Sequence, residues 1–416
     1  MKIAIIGAGI SGLGAAYLLA DQHDITLYEK NKYIGGHSRT IDVTTAKTTI
    51  AVDTGFIVFN NWNYPNLLGL FGELGVPYLK SDMSFGVSIE NGWLEYSSYG
   101  LFTQKKNLFR LQYWKMLANI IRFNKQAPKY IERDSDISLG DCLEELQMSR
   151  WFKQYYLLAM GAAIWSCPLE TILEFPAQTF LRFFKNHGLL NIKNRPQWYT
   201  VKGGSRAYVA KLMSNILPKI NVMNGAVKVQ QNTSDSFAVT DTSGITNIYD
   251  QVIFACHADE ALALIENPTE QEYSVLGAFR YQSNKVIVHS DESFMPKIRK
   301  CWASWVYLSE TQEDKKQTVS LSYWMNNLQS LPDDKTILVT LNPDRRPDAQ
   351  HIIDEHVFSH PIFDLPAIKA QQRISEIQGA RGLWFCGAYQ RYGFHEDGLL
   401  SAVNVAESLG AEIPWD

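Results

Sequence analysis

The N-terminus combines an apolar strand, a glycine pattern and a helix, and this combination constrains the fold more than any other feature. The apolar residues 3–6 lead into Gly-x-Gly-x-x-Gly, and a helical pattern follows over residues 13–20. The glycine pattern occupies Gly7, Ala8, Gly9, Ile10, Ser11 and Gly12. In a βα unit the first glycine permits a tight turn, the second lets the backbone approach a pyrophosphate, and the third lets helix and strand pack closely. The pattern predicts a Rossmann unit, with a purely structural turn as the alternative.

An acidic residue follows at the distance that a dinucleotide site requires. Glu29 ends the next predicted strand, residues 25–28, and lies 17 positions after Gly12. Its carboxylate can accept hydrogen bonds from both ribose hydroxyls. The N-terminus of the preceding helix offers free N–H donors and the positive end of its dipole to the phosphates. These positions favour dinucleotide binding over a structural turn.

A second glycine loop distinguishes FAD from NAD. It contains Gly35, Gly36, His37, Ser38, Arg39 and Thr40, and it is followed by Asp53, Thr54, Gly55 and Phe56. FAD is longer than the nucleotide of a nicotinamide dehydrogenase, so it uses further backbone donors and a cation near its phosphates, for which Arg39 is the candidate. By itself the double glycine can equally be a turn. Because the chain has no second strand–glycine–helix pattern, we predict one non-covalent FAD and no NADPH domain.

These motifs resemble the N-terminal signature of the amine oxidase and phytoene desaturase flavoprotein superfamily. At the other end, Phe385-x-Gly387 and residues 393–402 are similar to its closing motif. The resemblance implies that backbone over residues 394–398 borders the flavin, where a helix N-terminus stabilises charge on the reduced ring. It also implies that Val227 contacts the adenine. The further cofactor residues that it implies are Lys30, Gly387, Phe394, His395, Glu396, Asp397, Gly398 and Leu399.

A narrower resemblance covers nearly the whole chain. Residues 53–60, 255–259, 302–305, 385–389 and 393–398 resemble a bacterial group of predicted NAD/FAD-binding proteins. That group is similar to the N-terminal oxidoreductase-like domain of plant cyclopropane fatty acid synthases, and its members tend to accompany enzymes that modify acyl chains. The resemblance implies a lipid acyl substrate.

The predicted fold class is α/β. We expect an FAD-binding Rossmann-type domain, glutathione reductase-like and of the amine oxidase type, with an inserted α+β substrate domain. The FAD-binding domain is predicted from residues 1–85, 200–265 and 378–416, and the substrate domain from 86–199 and 266–377.

Lys285 and His395 are the catalytic candidates. Residues 285–289 are similar to the amine oxidase strand whose lysine holds a water against flavin N5. A partly desolvated lysine has a lowered pKa and can relay a proton, whereas a solvated lysine at a strand end would have no such role. A histidine at position 395 can change charge near neutral pH, unless only its backbone amide matters.

Aromatic residues are the candidates for a substrate pocket. Phe394 occupies the position of an aromatic wall in the superfamily, where amine oxidases commonly place tyrosine, so an amine substrate is disfavoured. The further pocket candidates are Trp324, Tyr389 and Tyr392. For such aromatic residues, packing in a core is the alternative.

Three functions follow from these residues. The leading hypothesis is an FAD-dependent oxidase, dehydrogenase or desaturase that takes a hydride from an apolar substrate such as a lipid acyl chain. The alternatives are a flavin amine oxidase and a non-catalytic flavoprotein accessory to a lipid-modifying enzyme.

Composition excludes other classes. A net charge of −4 provides no basic field for nucleic acid. The cysteines are odd in number and form no Cys-x-x-Cys pair, which argues against a zinc site, a dithiol centre or a secreted disulfide framework. They are Cys142, Cys167, Cys256, Cys301 and Cys386.

We expect a cytoplasmic protein, and contact with the inner membrane surface is a separate hypothesis. The strand-like N-terminus predicts no signal peptide, and the longest apolar stretch, residues 155–169, is shorter than the roughly 20 residues of a spanning helix. Residues 105–129 are basic and aromatic, which motivates the hypothesis of peripheral membrane contact, although such runs are usually solvated helix faces. The alternative for this segment is a solvated helix face.

Overall fold

The computed structural model describes residues 1–133, 137–165, 172–191, 193–311 and 317–415. Cys167 and residues 166–169 of the apolar stretch lie outside the described residues. The other cysteines are free thiols: Cys142, Cys256, Cys301 and Cys386. In the described part of the chain, no helix is long and apolar enough to cross a bilayer.

Strands and helices are numbered in chain order. The strands are β1 (Lys2–Ile6), β2 (Asp24–Glu29), β3 (Thr40–Thr44), β4 (Thr49–Asp53), β5 (Phe59–Asn60), β6 (Tyr78–Ser81), β7 (Phe85–Ile89), β8 (Leu94–Ser97), β9 (Trp198–Val201), β10 (Ile220–Asn224), β11 (Ala226–Thr233), β12 (Ser236–Asp241), β13 (Thr246–Tyr249), β14 (Gln251–Phe254), β15 (Tyr281–His289), β16 (Trp305–Thr311), β17 (Gln317–Trp324), β18 (Leu338–Leu341), β19 (Ile352–Pro361) and β20 (Leu383–Phe385). The helices are α1 (Ile10–Leu19), α2 (Pro65–Glu73), α3 (Leu111–Gln126), α4 (Pro128–Ile131), α5 (Leu139–Glu145), α6 (Arg150–Phe152), α7 (Leu158–Trp165), α8 (Ala177–Asn186), α9 (Arg206–Ile216), α10 (Ala258–Leu264), α11 (Glu270–Leu276), α12 (Met325–Leu328), α13 (Leu365–Gln371) and α14 (His395–Ser408).

A parallel sheet forms the nucleotide-binding half. Over the described residues it has five strands in the order β10-β2-β1-β14-β20, and all neighbours are parallel. Residues 3–6 of β1 are all buried because both faces of the sheet are covered, which explains their uninterrupted apolar run. Its strands come from three separated parts of the chain. The α/β, Rossmann-type fold class is confirmed, and the domain boundaries stay a prediction.

A larger sheet forms the second half, with strand order β19-β15-β18-β17-β16-β7-β8. The β3–β4 hairpin covers one face at the β15 end, where Val43 and Val52 pack against Val286 and Val288. The same face is covered by helices at the β7 end. The opposite face packs against the segment that includes Phe294. The larger sheet therefore has one face toward the nucleotide-binding half and one face away from it.

Helices α3 to α8 bury aromatic side chains against one another and against β7 and β8. The fully buried members of this core include Tyr113, Phe123, Phe152, Phe180 and Phe184. Within α8, the apolar side chains recur at helical spacing, which buries one face of the helix. This packing places α8 beside the start of α14.

Candidate functional site

The first glycine loop, residues 7–12, connects β1 to α1. Gly7 has a φ of +109°, and a Cβ there would lie 2.6 Å from the carbonyl oxygen of Ala255. A Cβ on Gly12 would overlap the carbonyl oxygen of Gly7. Both positions therefore require glycine. At Gly9 a Cβ would meet no protein atom within 4 Å, so its backbone is open to a ligand beside the N-terminus of α1.

The second glycine loop, residues 35–39, lies against the first. The N–H of Gly35 donates to the carbonyl oxygen of Ala8 at 2.9 Å. Gly36 has a φ of +57°, and its Cβ would lie 3.1 Å from the Cα of Gly9. Gly55 packs directly on the carbonyl oxygen of His37. The two loops thus present their backbones side by side.

The N-terminus of α14 joins these loops. A Cβ on Gly398 would lie 2.9 Å from Ser11 Oγ, and the side chain of Leu399 packs against Gly14 of α1. The N–H of Gly387 donates to Ser401 Oγ at 2.8 Å, which holds the end of β20 against α14. Helices α1 and α14 therefore begin next to each other. The N–H groups of their first turns, which have no acceptor within the helix, lie beside the second glycine loop.

Glu29 ends β2 beside the first glycine loop, and its contact with a ribose stays a prediction. Its Oε2 accepts the N–H of Ala8 at 2.8 Å, and its Oε1 accepts the N–H of Asn31 at 2.7 Å and its Nδ2 at 2.9 Å. A carboxylate has about four acceptor sites, so one remains for a hydroxyl group. The carboxylate thus also holds the first loop in place.

Lys30, just after β2, lies close to the start of β11, which contains Val227. Lys30 forms an ion pair with Glu260. A Cβ on Gly225 would lie 2.6 Å from the Cα of Lys30, which brings the start of β11 beside the end of β2. Val227 has 51% of its surface exposed. Its contact with an adenine stays a prediction.

His395 is buried where the first glycine loop, the second glycine loop and the N-terminus of α14 come together. Its ring stacks on Phe56 with centroids 3.8 Å apart and planes 8° from parallel. Its Nε2 lies 2.6 Å from Tyr208 Oη and 3.2 Å from Ser38 Oγ, and these two hydroxyls are 2.5 Å apart. Burial lowers the pKa of His395 to about 3, so the imidazole is neutral near pH 7.

The side chains of Glu396 and Asp397 have structural partners instead of facing a cofactor. Glu396 caps α2, because its carboxylate accepts the N–H groups of Asn66 at 3.0 Å and of Leu67 at 2.9 Å. Asp397 accepts the N–H of Phe394 at 2.9 Å and so closes the turn before α14. Burial raises the pKa of Glu396 to about 7 and of Asp397 to about 6. For both residues, only the backbone remains available to a flavin.

Arg39 does not have a free guanidinium for phosphates. It forms a bidentate ion pair with Asp354 of β19, at 2.8 and 3.1 Å, and Nη1 also lies 3.2 Å from Thr54 Oγ1. The predicted role is thus corrected, since the side chain joins the second glycine loop to the larger sheet.

His37 is the polar group of the second loop that remains unsatisfied. Its Nε2 is buried and has no hydrogen-bond partner among the described residues. Its ring stacks on Phe358 at 4.7 Å and lies 5.2 Å from His360. Burial, and then the neighbouring histidines, hold the pKa of His37 well below its usual range.

Lys285 is not brought to this site. Its Nζ forms an ion pair with Glu355 at 3.0 Å, and 44% of its side chain is exposed. On β15 the neighbouring Val286 faces the nucleotide-binding half, so Lys285 projects from the opposite face. The proposed catalytic role of Lys285 stays untested, and the placement argues against it.

The aromatic candidates for the substrate pocket lie in different parts of the structure. Phe394 stacks on Phe183 of α8 with centroids 5.1 Å apart, and Tyr392 lies 5.7 Å from the same ring. Trp324 instead packs at 5.4 Å from Trp302 on the far face of the larger sheet. Its assignment to the pocket is corrected accordingly.

Tyr389 also belongs to a core. It is 97% buried and packs on Phe279 at 4.8 Å behind the parallel sheet. The ring belongs to the core that includes residues of β14 and α11, whereas Phe394 packs against a different core. The pocket assignment of Tyr389 is corrected for this reason.

His187 is a site residue that the sequence did not indicate. Its ring lies 3.8 Å from Phe183 and 5.6 Å from Phe394. Its Nδ1 lies 3.0 Å from the carbonyl oxygen of Phe183, and a carbonyl only accepts, so Nδ1 carries the proton and Nε2 does not. Burial lowers the pKa of His187 to about 4.

Comparisons with known proteins agree with this architecture. A family model described as NAD(P)-binding Rossmann-like domain matches residues 5–74. The curated 4,4'-diapophytoene desaturase (4,4'-diaponeurosporene-forming) of Staphylococcus aureus strain Newman is 57% identical over 37 residues, which are 9% of this chain and 7% of that protein. The match therefore spans a small fraction of the desaturase.

Solved structures match over the whole length. The CLA-producing fatty acid isomerase from P. acnes is 14% identical, with a TM-score of 0.69 and 98% of both chains covered. Cyclohexylamine oxidase from Brevibacterium oxydans is 13% identical, with a TM-score of 0.67 and coverage of 98% of this chain and 99% of that one. A reduced UDP-galactopyranose mutase is 14% identical, with a TM-score of 0.65. The match covers 98% of this chain and 94% of the mutase chain.

The chain shares its fold with these solved enzymes, among them an amine oxidase. The residues where the two glycine loops and the N-terminus of α14 come together fit an FAD, because Gly9 presents open backbone, two helices begin side by side, and His37 Nε2 is buried without a partner among the described residues. The narrower resemblance to the cyclopropane synthase domain stays a prediction.

Tyr208 is the other residue of the candidate site that the sequence did not indicate. It lies on α9, just after the double glycine of residues 203–204. No spacing rule links a tyrosine on that helix to a histidine near the C-terminus. The aromatic segment 180–185 was a visible signal for Phe183, whereas nothing in the sequence separated His187 from an ordinary helix end.

Proposed function

We propose that this chain is an FAD-dependent oxidoreductase that oxidises an apolar substrate of the lipid acyl class. The observation that carries the proposal is the neutral His395, held by Tyr208 and Ser38 where the two glycine loops and the N-terminus of α14 meet. The full-length similarity to flavoenzymes supports it, among them a fatty acid isomerase.

The cofactor would be held without a covalent bond by backbone around Gly9, Gly36 and residues 394–398, with Glu29 at its ribose. When bound, FAD supplies a two-electron acceptor that can take a hydride from a C–H bond. The paired helix N-termini stabilise negative charge beside them.

Protons are handled by the chain's own imidazoles. Tyr208 Oη and Ser38 Oγ both lie within hydrogen-bond distance of His395 Nε2, and these contacts hold the neutral ring in place. On the other side of Phe394, the unprotonated Nε2 of His187 is available to accept a proton from a substrate carbon. His187 therefore replaces Lys285 as the residue to which we assign the base.

An apolar substrate suits the wall that these residues form. Phe394 and Phe183 present stacked rings without a hydroxyl group. The nearby carboxylates of Glu396 and Asp397 are occupied by backbone N–H groups, so neither is free to hold an ammonium group. Both points favour an acyl chain over an amine.

The test begins with the visible spectrum of the purified protein and a titration with FAD and with NAD. Anaerobic mixing with a fatty-acyl phospholipid, a free fatty acid and a simple amine then shows which of them bleaches the flavin. We expect bleaching by an acyl lipid, and loss of that bleaching in His187→Gln with the flavin still bound.

Other results would redirect the assignment. Bleaching by the amine alone would indicate an amine oxidase, and a flavin that no compound reduces would indicate an accessory protein. A colourless protein that refuses FAD and holds NAD would refute the proposal.

A further inference from the structure

The segment that follows β8 exposes apolar side chains that a soluble surface normally buries. Phe109 has 88% of its surface exposed and Leu111 has 85%. Other exposed members of this surface are Tyr99, Leu101, Leu108, Trp114 and Ile121. We call these seven side chains the apolar tip. Contiguous exposed apolar residues mark an interaction site more often than chance.

The 3₁₀ helix and the first turns of α3 form the connected centre of the apolar tip. Lys105–Phe109 forms a 3₁₀ helix that leads into α3. Trp114 Nε1 donates to the carbonyl oxygen of Leu108 at 3.0 Å, which ties the first turn of α3 to that helix. At 100° per residue, Leu111, Trp114 and Ile121 fall within an arc of about 80° on α3.

The inner side of α3 packs against the protein core and supports the apolar tip. Tyr113 and Phe123 are fully buried on the inner side of α3. Tyr113 Oη donates to the carbonyl oxygen of Leu101 at 2.6 Å, and Phe102 packs on Trp114 at 4.9 Å. The exposed residues are thus presented by a packed helix and not by a loose loop.

The chain segment that carries the tip has charge of one sign, and the Asp82 carboxylate lies at its edge, on Tyr99. Residues 97–131 contain seven lysines and arginines and neither aspartate nor glutamate, in a chain whose net charge is −4. The exposed lysines of this segment are Lys105, Lys106, Lys115, Lys125 and Lys129. Among the described residues, the neighbouring ion pairs join Arg133 to Glu145 and Lys153 to Glu144, and so leave these lysines unneutralised.

The two arginines of the segment have internal roles. Arg110 lies over the ring of Trp93, 4.6 Å from its centroid. Arg122 donates to the carbonyl oxygens of Leu146 and Gln147, at 2.9 and 2.7 Å. The free positive charge of this surface therefore comes from flexible lysines around an apolar centre.

We propose that the apolar tip docks this protein on an anionic lipid bilayer. Phe109 and Leu111 would enter the acyl region, and the lysines would meet lipid phosphates. A lysine-rich rim favours a bilayer over a protein partner, since lysine is depleted at protein interfaces. The inference rests on exposure and charge alone, so it stands whether or not the proposed oxidation is correct.

Vesicle sedimentation of the full-length protein tests the proposal. Vesicles of phosphatidylcholine with phosphatidylglycerol are compared with phosphatidylcholine alone, at low and at high salt. We expect binding to the anionic vesicles that weakens with salt. Phe109→Ser with Leu111→Ser should weaken binding at least about tenfold, since both lose their apolar insertion. Lys105→Gln with Lys106→Gln and Lys115→Gln should cost about fivefold per lysine on anionic vesicles.

Tyr273→Ser is the matched control, because Tyr273 on α11 is 66% exposed outside the tip. It should bind vesicles like the unmodified chain. Thermal unfolding and FAD titration of each variant confirm an intact fold and separate this test from that of the oxidoreductase. Absence of vesicle binding at low salt would overturn the proposal. Unchanged vesicle binding by the Phe109→Ser and Leu111→Ser double variant would also overturn it. So would self-association of the unmodified chain that this double variant abolishes.

Discussion

The two sides of the candidate site are built in different ways. On the nucleotide side, residues 7–12, 35–39 and 394–398 meet through their backbones, and glycine decides how closely they approach. On the proposed substrate side, Phe183 and His187, on and just after α8, contact Phe394 through their rings. One side is therefore a surface of N–H donors, and the other is a surface of side chains.

This difference sets how each side responds to change. A backbone surface is insensitive to most side chains but is blocked by a single methyl group in the wrong place. A side-chain wall keeps most of its function when a residue of similar volume replaces another. The following substitutions test that contrast, and they are ordered by the size of the expected effect.

Gly9→Ala should weaken FAD binding by about a hundredfold, because the methyl group separates the ligand from donors whose charge-assisted bonds contribute about 1.5–3 kcal/mol each. Its thermal unfolding should stay unchanged, since no protein atom lies within 4 Å of the new Cβ. Flavin fluorescence titration measures the affinity. Gly72→Ala is the matched control, because its Cβ also meets nothing within 4 Å, and it should bind FAD normally. Normal FAD binding by Gly9→Ala would show that the first loop does not hold the cofactor.

Tyr208→Phe should lower turnover about tenfold, since the buried imidazole of His395 loses a hydrogen bond at 2.6 Å. FAD affinity should not change. The pH dependence of turnover distinguishes this from a structural effect, because the pKa of His395 should move. Tyr113→Phe is the control, for it loses only a bond to the carbonyl oxygen of Leu101. Equal turnover losses in both variants would contradict the role of Tyr208.

Glu396→Gln should gain stability relative to the unmodified chain as the pH rises from about 4.5 to about 7. Burial raises the folded-state pKa of Glu396 to about 7, so the folded protein binds this proton more tightly than the unfolded chain, and stability falls across that window. Glutamine does not titrate. The difference in the free energy of unfolding between the variant and the unmodified chain should therefore shift in favour of the variant by about 3 kcal/mol at most between pH 5 and pH 8. Urea unfolding at both pH values measures the shift. Glu376→Gln is the control, because the hydrogen bond from Arg373 lowers the pKa of Glu376, so its contribution is lost only below its ordinary pKa and the variant should hardly shift between pH 5 and pH 8.

Phe394→Leu should raise the KM for an acyl substrate about fivefold, since stacking on Phe183 contributes about 0.5–1.5 kcal/mol beyond the apolar area. The flavin affinity should stay the same because the backbone of α14 is unchanged. Steady-state kinetics with the lipid identified by flavin bleaching provides the measurement. A drop in FAD affinity would mean that the ring of Phe394 supports the backbone side as well.

The nucleotide-binding half was largely predictable because its demands are local. The turn after β1 leaves room for glycine alone at positions 7 and 12, and Glu29 must lie at the end of the next strand. Such requirements act within one βα unit and therefore appear as a spacing in the sequence. The resemblance at residues 393–402 pointed to the backbone of a third segment, which the structure places against the first glycine loop, and its contact with a flavin stays a prediction.

Side-chain direction was the part that the sequence left open. Lys285 and Asn284 are equally plausible on a strand, but Asn284 is 99% buried near His360 and Lys285 projects from the opposite face. Glu396 caps a helix that begins more than 300 residues earlier, at Pro65. Neither partner could be inferred without knowing which elements pack together.

The sequence by itself determined a Rossmann unit with glycine loops at both ends of the chain, because steric limits on a short turn allow few residues. Only the tertiary structure decided that His395 meets Tyr208, that Arg39 pairs with Asp354, and that Phe109 projects into solvent. These outcomes depend on how distant elements pack, and packing is a property of the whole chain and not of any local spacing.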